Sequence, residues 1–258
     1  MEFVRVIHPG AINIFRELSL FDSWVLYTVP TCICRPQRFY TQRFHGVAHF
    51  FLLNILPKAF FMSLDENKRL LRQTAQKKRN EIVLAAPKNS GDLLAANVAK
   101  LLSSFTKVHT VSGYLPIGNE IDTLPTLTAL ADSGYQTCLP VVLKNEWPLD
   151  FRLWVEGSPL EDGPLKTRHP VLDAPQVKPS SMLVPLLGYD DDGYRLGWGG
   201  GFYDRTLGAY QLEGWPIIAI GVCYDDQHFV RLPFDEFDIP MDWIVTEKRI
   251  IKILKAGA

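Results

Sequence analysis

The residues whose types and spacing point to chemistry fall in one stretch, Arg195-Leu196-Gly197-Trp198-Gly199-Gly200-Gly201-Phe202-Tyr203-Asp204-Arg205. Four of the eleven are glycine, three of them consecutive. An apolar run, Met182 to Leu187, precedes the stretch, and Tyr203 to Leu212 reads as a short helix after it. A buried strand, a glycine loop and a helix start make a cradle for an anion. Glycines let backbone N–H groups close round it, and the helix N-terminus adds positive potential. The spacing is not that of a Walker A loop, and it lacks the third glycine of the G-x-G-x-x-G dinucleotide fingerprint. The plain alternative is a turn with a packing role only. Three adjacent glycines weaken a chain unless something must come close, so the anion-binding reading is preferred.

A cradle for several phosphates needs cationic side chains from elsewhere. Lys68 and Arg72 are four residues apart and Arg79 is seven beyond Arg72, which puts all three on one face of a helix. Read alone, that face is a solvated surface, as most charge runs are; the glycine loop gives it a possible purpose. Asp204, just past the loop, and Asp242, at a strand entrance, are candidate magnesium ligands. Magnesium takes oxygen donors, commonly one or two carboxylates plus phosphate oxygens. The alternatives are that Asp204 caps its own helix and that Asp242 sits in a solvated turn. Glu120 lies in the turn Pro116–Thr123 and can hydrogen-bond a polar ligand there, while Asp122 or Thr123 suits the cap of the next helix.

The elements that must position these residues are legible after Met62. Ser63-Leu64-Asp65-Glu66 is a capping box opening a helix to about Ile82. Residues 89–105 form a second amphipathic helix, Lys107–Leu115 a strand, and a third helix reaches Ser133, with Gly134 as its stop. Thr137–Leu143 and Phe151–Val155 read as strands. Five prolines between 156 and 181 mark a long loop over one face of the sheet, in which His169 is an ordinary surface residue. Pro216–Cys223 is apolar throughout, the sign of a strand buried on both faces, and Asp242–Thr246 is a short last strand. Strands alternating with helices indicate an α/β fold, three-layer α/β/α, with a mainly parallel central sheet in a single domain.

Residues 1–61 differ. They are rich in aromatics, hold only three acids (Glu2, Glu17, Asp22), and show no clean periodicity. Their longest uncharged runs fall short of the roughly 20 apolar residues needed to cross a bilayer. Met62 begins a stretch that looks like an ordinary start, so the preceding segment is expected to be an N-terminal extension, disordered or the product of a mis-assigned start. The domain is then 62–258. A net charge of −1 recruits neither nucleic acid nor anionic membrane. The four cysteines (Cys32, Cys34, Cys138, Cys223) give no disulfide framework, which suits a reducing, cytoplasmic setting.

The stretch LGWGGGFYDR, preceded by Val184–Asp190 and Gly193-Tyr194-Arg195, resembles the signature of the 5-formyltetrahydrofolate cyclo-ligase family. Three shorter pieces agree in order: Lys68-Arg69-Leu70-Leu71-Arg72, then Tyr114-Leu115-Pro116 through Glu120–Thr123, then Met241–Glu247. The resemblance covers Met62 to the end and leaves 1–61 outside; the segment at His169-Pro170 departs from the family pattern, so no ligand contact is assigned there. It implies an ATP- and magnesium-dependent closure of 5-formyltetrahydrofolate to 5,10-methenyltetrahydrofolate, with ATP as co-substrate and ADP and phosphate released through a phosphorylated formyl group. It implies that Lys68, Arg69, Leu70, Leu71 and Arg72, together with Arg195, Leu196, Gly197, Trp198, Gly199, Gly200, Gly201, Phe202 and Tyr203, hold ATP. Leu115, Glu120, Trp198 and Tyr203 are expected to contact the folate, Asp204 and Asp242 to serve Mg2+, and Arg72 and Tyr203 to act in catalysis. Arg205 is expected either in the site or paired with a nearby acid. The partners are then small molecules alone, the protein working as a monomer. The competing readings are a sugar-phosphate or CoA-ester enzyme of similar architecture without ATP use, and a non-catalytic nucleotide- or folate-binding module.

Overall fold

Ser63 opens the first helix as its N-cap, its side chain accepting the Glu66 amide at 3.2 Å, but the expected capping box is only half formed, because the Glu66 carboxylate binds Arg69 instead. The computed structural model describes residues 63–254; the readings made above for residues 1–61, Cys32 and Cys34 among them, lie outside the described residues. Helix α1 runs Leu64–Ala85, three residues beyond the expected end, followed by α2 (Ser90–Leu102), β1 (Thr110–Ser112), α3 (Leu124–Asp132) and β2 (Gln136–Val141). The α3 start is held by Asp122, whose carboxylate accepts the Leu124 amide at 2.9 Å, and Gly134 ends it at φ 89°.

Strands β3 (Asp150–Leu153), β4 (Leu160–Asp162), β5 (Arg168–Pro170) and β6 (Ser181–Pro185) follow, then the short β7 (Gly188–Tyr189) and β8 (Arg195–Leu196). The chain ends with α4 (Phe202–Leu212), β9 (Ile218–Val222), β10 (Trp243–Val245) and β11 (Ile250–Lys252). The main sheet has seven strands in the order β11-β10-β9-β6-β1-β2-β3. The five central strands are parallel and the two edges, β3 and β11, are antiparallel.

The apolar runs were expected to be buried on both faces, and side-chain alternation divides them accordingly. Leu183, Ile220, Val222 and Val245 face a core built with Leu94, Val98 and Leu101 of α2 and Leu130 of α3. Their neighbours Met182, Val184, Ala219 and Ile244 face a second core closed by Leu207 and Tyr210 of α4. This makes a three-layer α/β/α domain. Cys138 and Cys223 are buried free thiols in the second core, where burial raises both pKa values.

Three sequence readings change. The strand at Asp242–Thr246 is not the last, because β11 follows it and pairs with β10. The 156–181 segment is not all loop, because β4 and β5 pair in it as an antiparallel hairpin. Three-residue strands among prolines carry too few alternations to be read. His169 is not a surface residue: it is 8% exposed, with Nδ1 at 2.9 Å from the Pro170 carbonyl. Among the described residues no helix is long and apolar enough to cross a membrane.

Candidate active site

From β1 the chain passes through α3 to β2 on one side, and from β6 it passes through α4 to β9 on the other. The sheet's direction of growth therefore reverses between β1 and β6, and ligands of open parallel sheets bind at such a point, beyond the strand C-termini. The segments leaving both ends meet in a cleft of about 1640 Å³, lined by Leu115, Ile117 and Glu120 from the β1 side and by residues 195–205 from the β6 side.

The glycine loop is aimed by the β7–β8 hairpin. Asp190, 1% exposed, accepts the Tyr194 amide at 2.9 Å and the Leu232 amide at 3.0 Å. Burial raises its carboxyl pKa, while these bonds pull the other way. The loop then turns through Gly199 (φ 100°) and Gly201 (φ 65°), backbone that side chains with a Cβ rarely adopt. Gly201 caps α4 without a side-chain bond, leaving the first helical amides free of intrahelical acceptors at the cleft. A methyl group on Gly199 would sit 3.1 Å from Arg72 Cζ, so the guanidinium lies directly against the loop.

Arg72 reaches the loop from α1, its Nε donating to the Gly197 carbonyl at 3.0 Å. Arg195 is 5% exposed, with Nη2 at 2.7 Å from Asp204 Oδ1 and Nη1 donating to the Ile239 carbonyl at 2.8 Å. Asp204 does not cap its own helix; its Oδ1 also accepts the Ile239 amide at 3.1 Å, joining α4 to the segment before β10. Lys68 is not solvated: it is held between Asp235 (2.8 Å) and Asp238. Burial lowers its pKa, but those two bonds outweigh burial and the net direction is up.

At the β1 end, Glu120 Oε2 accepts the Ile117 amide at 2.9 Å and Oε1 accepts the Trp198 indole N–H at 2.8 Å. Arg79 lies behind this pair, 2% exposed, with Nη1 3.8 Å from Glu120 Oε1 and its guanidinium 5.2 Å from the centre of the Trp198 ring. Burial lowers the Arg79 pKa, opposed by the Glu120 charge. Tyr203 lines the cleft with its phenol pKa pushed well up, first by burial and then by the Glu120 carboxylate. Its hydroxyl therefore stays a hydrogen-bond donor at neutral pH.

The structure thus gathers Lys68, Arg72, Leu115, Glu120, Arg195, Leu196, the loop 197–201, Phe202, Tyr203 and Asp204 round one cleft. Arg69, Leu70 and Leu71 do not line it. Helical geometry turns them away: Arg69 pairs with Glu66 on the surface, Leu70 is exposed, and Leu71 packs beside Ala75 and Leu187. Asp242 lies at the entrance of β10, its Oδ2 accepting the Ala219 amide at 2.8 Å, and is not in the cleft lining. Among the described residues Arg205 pairs with no acid; its Nη2 donates to the Gly200 carbonyl at 2.7 Å, bracing the loop.

Several lining segments escaped the sequence reading, two of them charged. Asp235–Ile239 is one, since nothing local ties it to Lys68. Leu165, Thr167 and Arg168, in the proline-rich region given no ligand contact, also reach the cleft. Chemically, free amides, arginines and a buried carboxylate at opposite ends suit a polyanion beside a polar ring system.

Comparison with known proteins agrees. The model of the 5-formyltetrahydrofolate cyclo-ligase family matches residues 64–247. The chain is 36% identical over 147 residues, 55% of its length, to the Escherichia coli (strain K12) 5-formyltetrahydrofolate cyclo-ligase, of which it covers 80%. It is 32% identical over 153 residues, 57% of its length, to the Mycolicibacterium smegmatis protein of that name, covering 77% of it. An NMR structure of Aquifex aeolicus 5,10-methenyltetrahydrofolate synthetase superposes with a TM-score of 0.57 at 29% identity, over 74% of this chain and 95% of that one. The Mycoplasma pneumoniae 5,10-methenyltetrahydrofolate synthetase, 22% identical, shares the fold with a TM-score of 0.54 over 70% of this chain and 99% of that one.

Proposed function

The chain belongs to the 5-formyltetrahydrofolate cyclo-ligase family, and on that premise we propose that it converts 5-formyltetrahydrofolate and ATP into 5,10-methenyltetrahydrofolate, ADP and phosphate. The observation that carries this reading is the pairing, in one cleft, of an uncapped helix N-terminus with a buried carboxylate. Single-ligand pockets run roughly 300–1,000 Å³. The cleft, at about 1640 Å³, exceeds that and suits two substrates side by side.

The chemistry asks little covalent work of the protein. A formamide oxygen is a poor leaving group. Its attack on the γ-phosphorus breaks the bond to ADP and leaves an iminium phosphate. N10 then attacks the formyl carbon and closes the ring, its proton is lost to the departing phosphate or to water, and phosphate leaves with the former formyl oxygen. Phosphoryl transfer of this kind depends on positioning and charge neutralisation. In this reading the loop amides 199–203 and Arg72 hold the polyphosphate. Arg195, locked by Asp204, keeps the loop in place. Tyr203 donates a hydrogen bond toward the formyl oxygen, and Trp198 with Leu115 flanks the ring system. Glu120 accepts the N–H groups of the pterin.

Among the described residues no group of three or more His, Cys, Asp or Glu is arranged to hold a metal by itself. Magnesium does not require such a group, since it commonly keeps water and phosphate oxygens and takes one or two carboxylates. Bound with the nucleotide, it would neutralise phosphate charge. Asp204, which lines the cleft, is the better-placed donor; Asp242 is engaged at the strand entrance.

The test is a turnover assay on the full chain with 5-formyltetrahydrofolate, ATP and magnesium, followed by the near-ultraviolet absorbance of the methenyl product. A signal requiring all three supports the reading. ADP without methenyl product, or no turnover by folded protein, removes it.

A further inference from the structure

Arg79 is the most deeply buried cation of α1, and its chemistry is unfinished. Nε donates to Asn119 Oδ1 at 2.7 Å, and Asn119 in turn bonds Asn80. Nη1, fully buried, has no hydrogen-bond partner among the described residues, although it points at Glu120 Oε1 from 3.8 Å. Buried guanidinium N–H groups are seldom left unpaired, because the lost hydration is not replaced. The carboxylate facing it has a side chain 4% exposed and, among the described residues, holds two short bonds, from Ile117 and Trp198.

We propose that Arg79 is a positioning residue for the folate-side half of the reaction: it holds the Glu120 carboxylate aimed into the cleft, and holds the Trp198 ring against it. The inference rests on the function proposed above. Three features of the structure support the assignment. Arg79 stands two turns from Arg72 on the same helix face, so one rigid element sets the distance between the two ends of the cleft. Its guanidinium contacts Trp198 through the ring face while Glu120 takes the ring's N–H, so the indole is gripped from two directions. Trp198 stands between Gly197 and Gly199, which leave its backbone free to move once that grip is lost. Arg79 does not line the cleft, so its action passes through Glu120 and Trp198.

The test uses the full chain with Arg79→Met, Arg79→Lys, Glu120→Gln, Trp198→Phe and the double variant Arg79→Met/Glu120→Gln. Arg79→Met is expected to raise KM for 5-formyltetrahydrofolate about tenfold or more while leaving KM for ATP within about twofold. Arg79→Lys restores part of the loss, since it keeps the charge and loses the fork. Because Arg79 acts through Glu120 as well as Trp198, its removal costs less in the Glu120→Gln background than in the parent. The double variant also guards against misfolding, as it leaves no unpaired buried charge. A readout independent of turnover is the quenching of Trp198 fluorescence by acrylamide, isolated as the difference from Trp198→Phe, which rises in Arg79→Met. Equal rises in both KM values, or additive effects in the double variant, overturn the inference. So does unchanged Trp198 quenching. Absence of formylfolate turnover in the unsubstituted protein instead overturns the function proposed above, with the quenching result still deciding whether Arg79 grips the pair.

Discussion

Two stretches lining the cleft are made of different material. The glycine loop, 197–201, presents backbone: carbonyls that Arg72 and Arg205 hold from behind, and amides at the start of α4. The segment Asp235–Ile239 presents side chains: its acids are tied to Lys68, 167 residues from Asp235 in sequence, while its last residue is held by Arg195 and Asp204. Backbone cannot be repositioned by rotating a side chain, so its geometry is fixed by residue type at each position. Carboxylates on flexible stems tolerate change. The glycine stretch should therefore fail sharply when altered, and the acidic one gradually.

The sharpest way to break that contrast is within the loop itself. Gly199→Ala places a methyl 3.1 Å from Arg72 Cζ on backbone at φ 100°. Strain of this kind costs about 1–3 kcal/mol, and a loop displaced by even about an ångström loses roughly a hundredfold in kcat/KM. Gly197→Ala meets nothing within 4 Å and has no positive φ. It is expected to stay within about threefold of the parent, an effect of well under 1 kcal/mol. Steady-state kinetics and thermal melts on the two variants decide the matter. Equal losses would show that glycine content, not local geometry, sets the requirement.

This contrast also explains what was legible. Glycine at positive φ is a demand of the backbone, visible from sequence without knowledge of any neighbour, and the N-cap at Ser63 and the apolar runs that became β6 and β9 are equally local. The face carrying Lys68, Arg72 and Arg79 was visible as a spacing, but its burial was not. Lys68 is buried because Asp235 and Asp238 arrive from across the fold, and Arg79 because Glu120 arrives from the end of β1. Charge on a helix reads as solvent-facing until its partners are known. The β4–β5 hairpin and β11 were missed for a different reason: three residues give one and a half alternations, too few for a period.

A second intervention sharpens the comparison at the junction of helix and loop. Arg72→Met removes the Nε bond to Gly197 and the positive charge beneath Gly199, while leaving the glycines intact. The expected outcome is about a tenfold rise in KM for ATP, from the loss of charge-assisted hydrogen bonds worth roughly 1.5–3 kcal/mol. The melting temperature should stay close to the parent's, because Arg72 is only half-buried. An unchanged KM for ATP would show that the loop amides alone hold the polyphosphate, and would make the backbone stretch still more self-sufficient.

The smallest effect belongs to the acidic segment and is read through pH. The bond from Lys68, opposed by burial, holds the Asp235 carboxyl below its ordinary range. A carboxyl lowered on folding adds stability above its unfolded pKa, about 3.9, and loses it as pH falls through the lower folded value. Lys68 runs the opposite way. Its folded pKa is raised, so its contribution is complete below about 10.4 and is lost as pH climbs through the higher folded value. The stability difference between the parent and Asp235→Asn should therefore be flat from about pH 5 to pH 10 and shrink outside that window. With the Asp235 side chain 33% exposed, solvent screening limits it to ~1 kcal/mol at most. Denaturant titrations across pH measure it. Gly199→Ala, whose strain involves no titrating group, should show an offset that does not change with pH. A pH-dependent offset in the glycine variant, or a flat one in Asp235→Asn below pH 3, would mean that the two stretches are mechanically joined rather than built on separate physics.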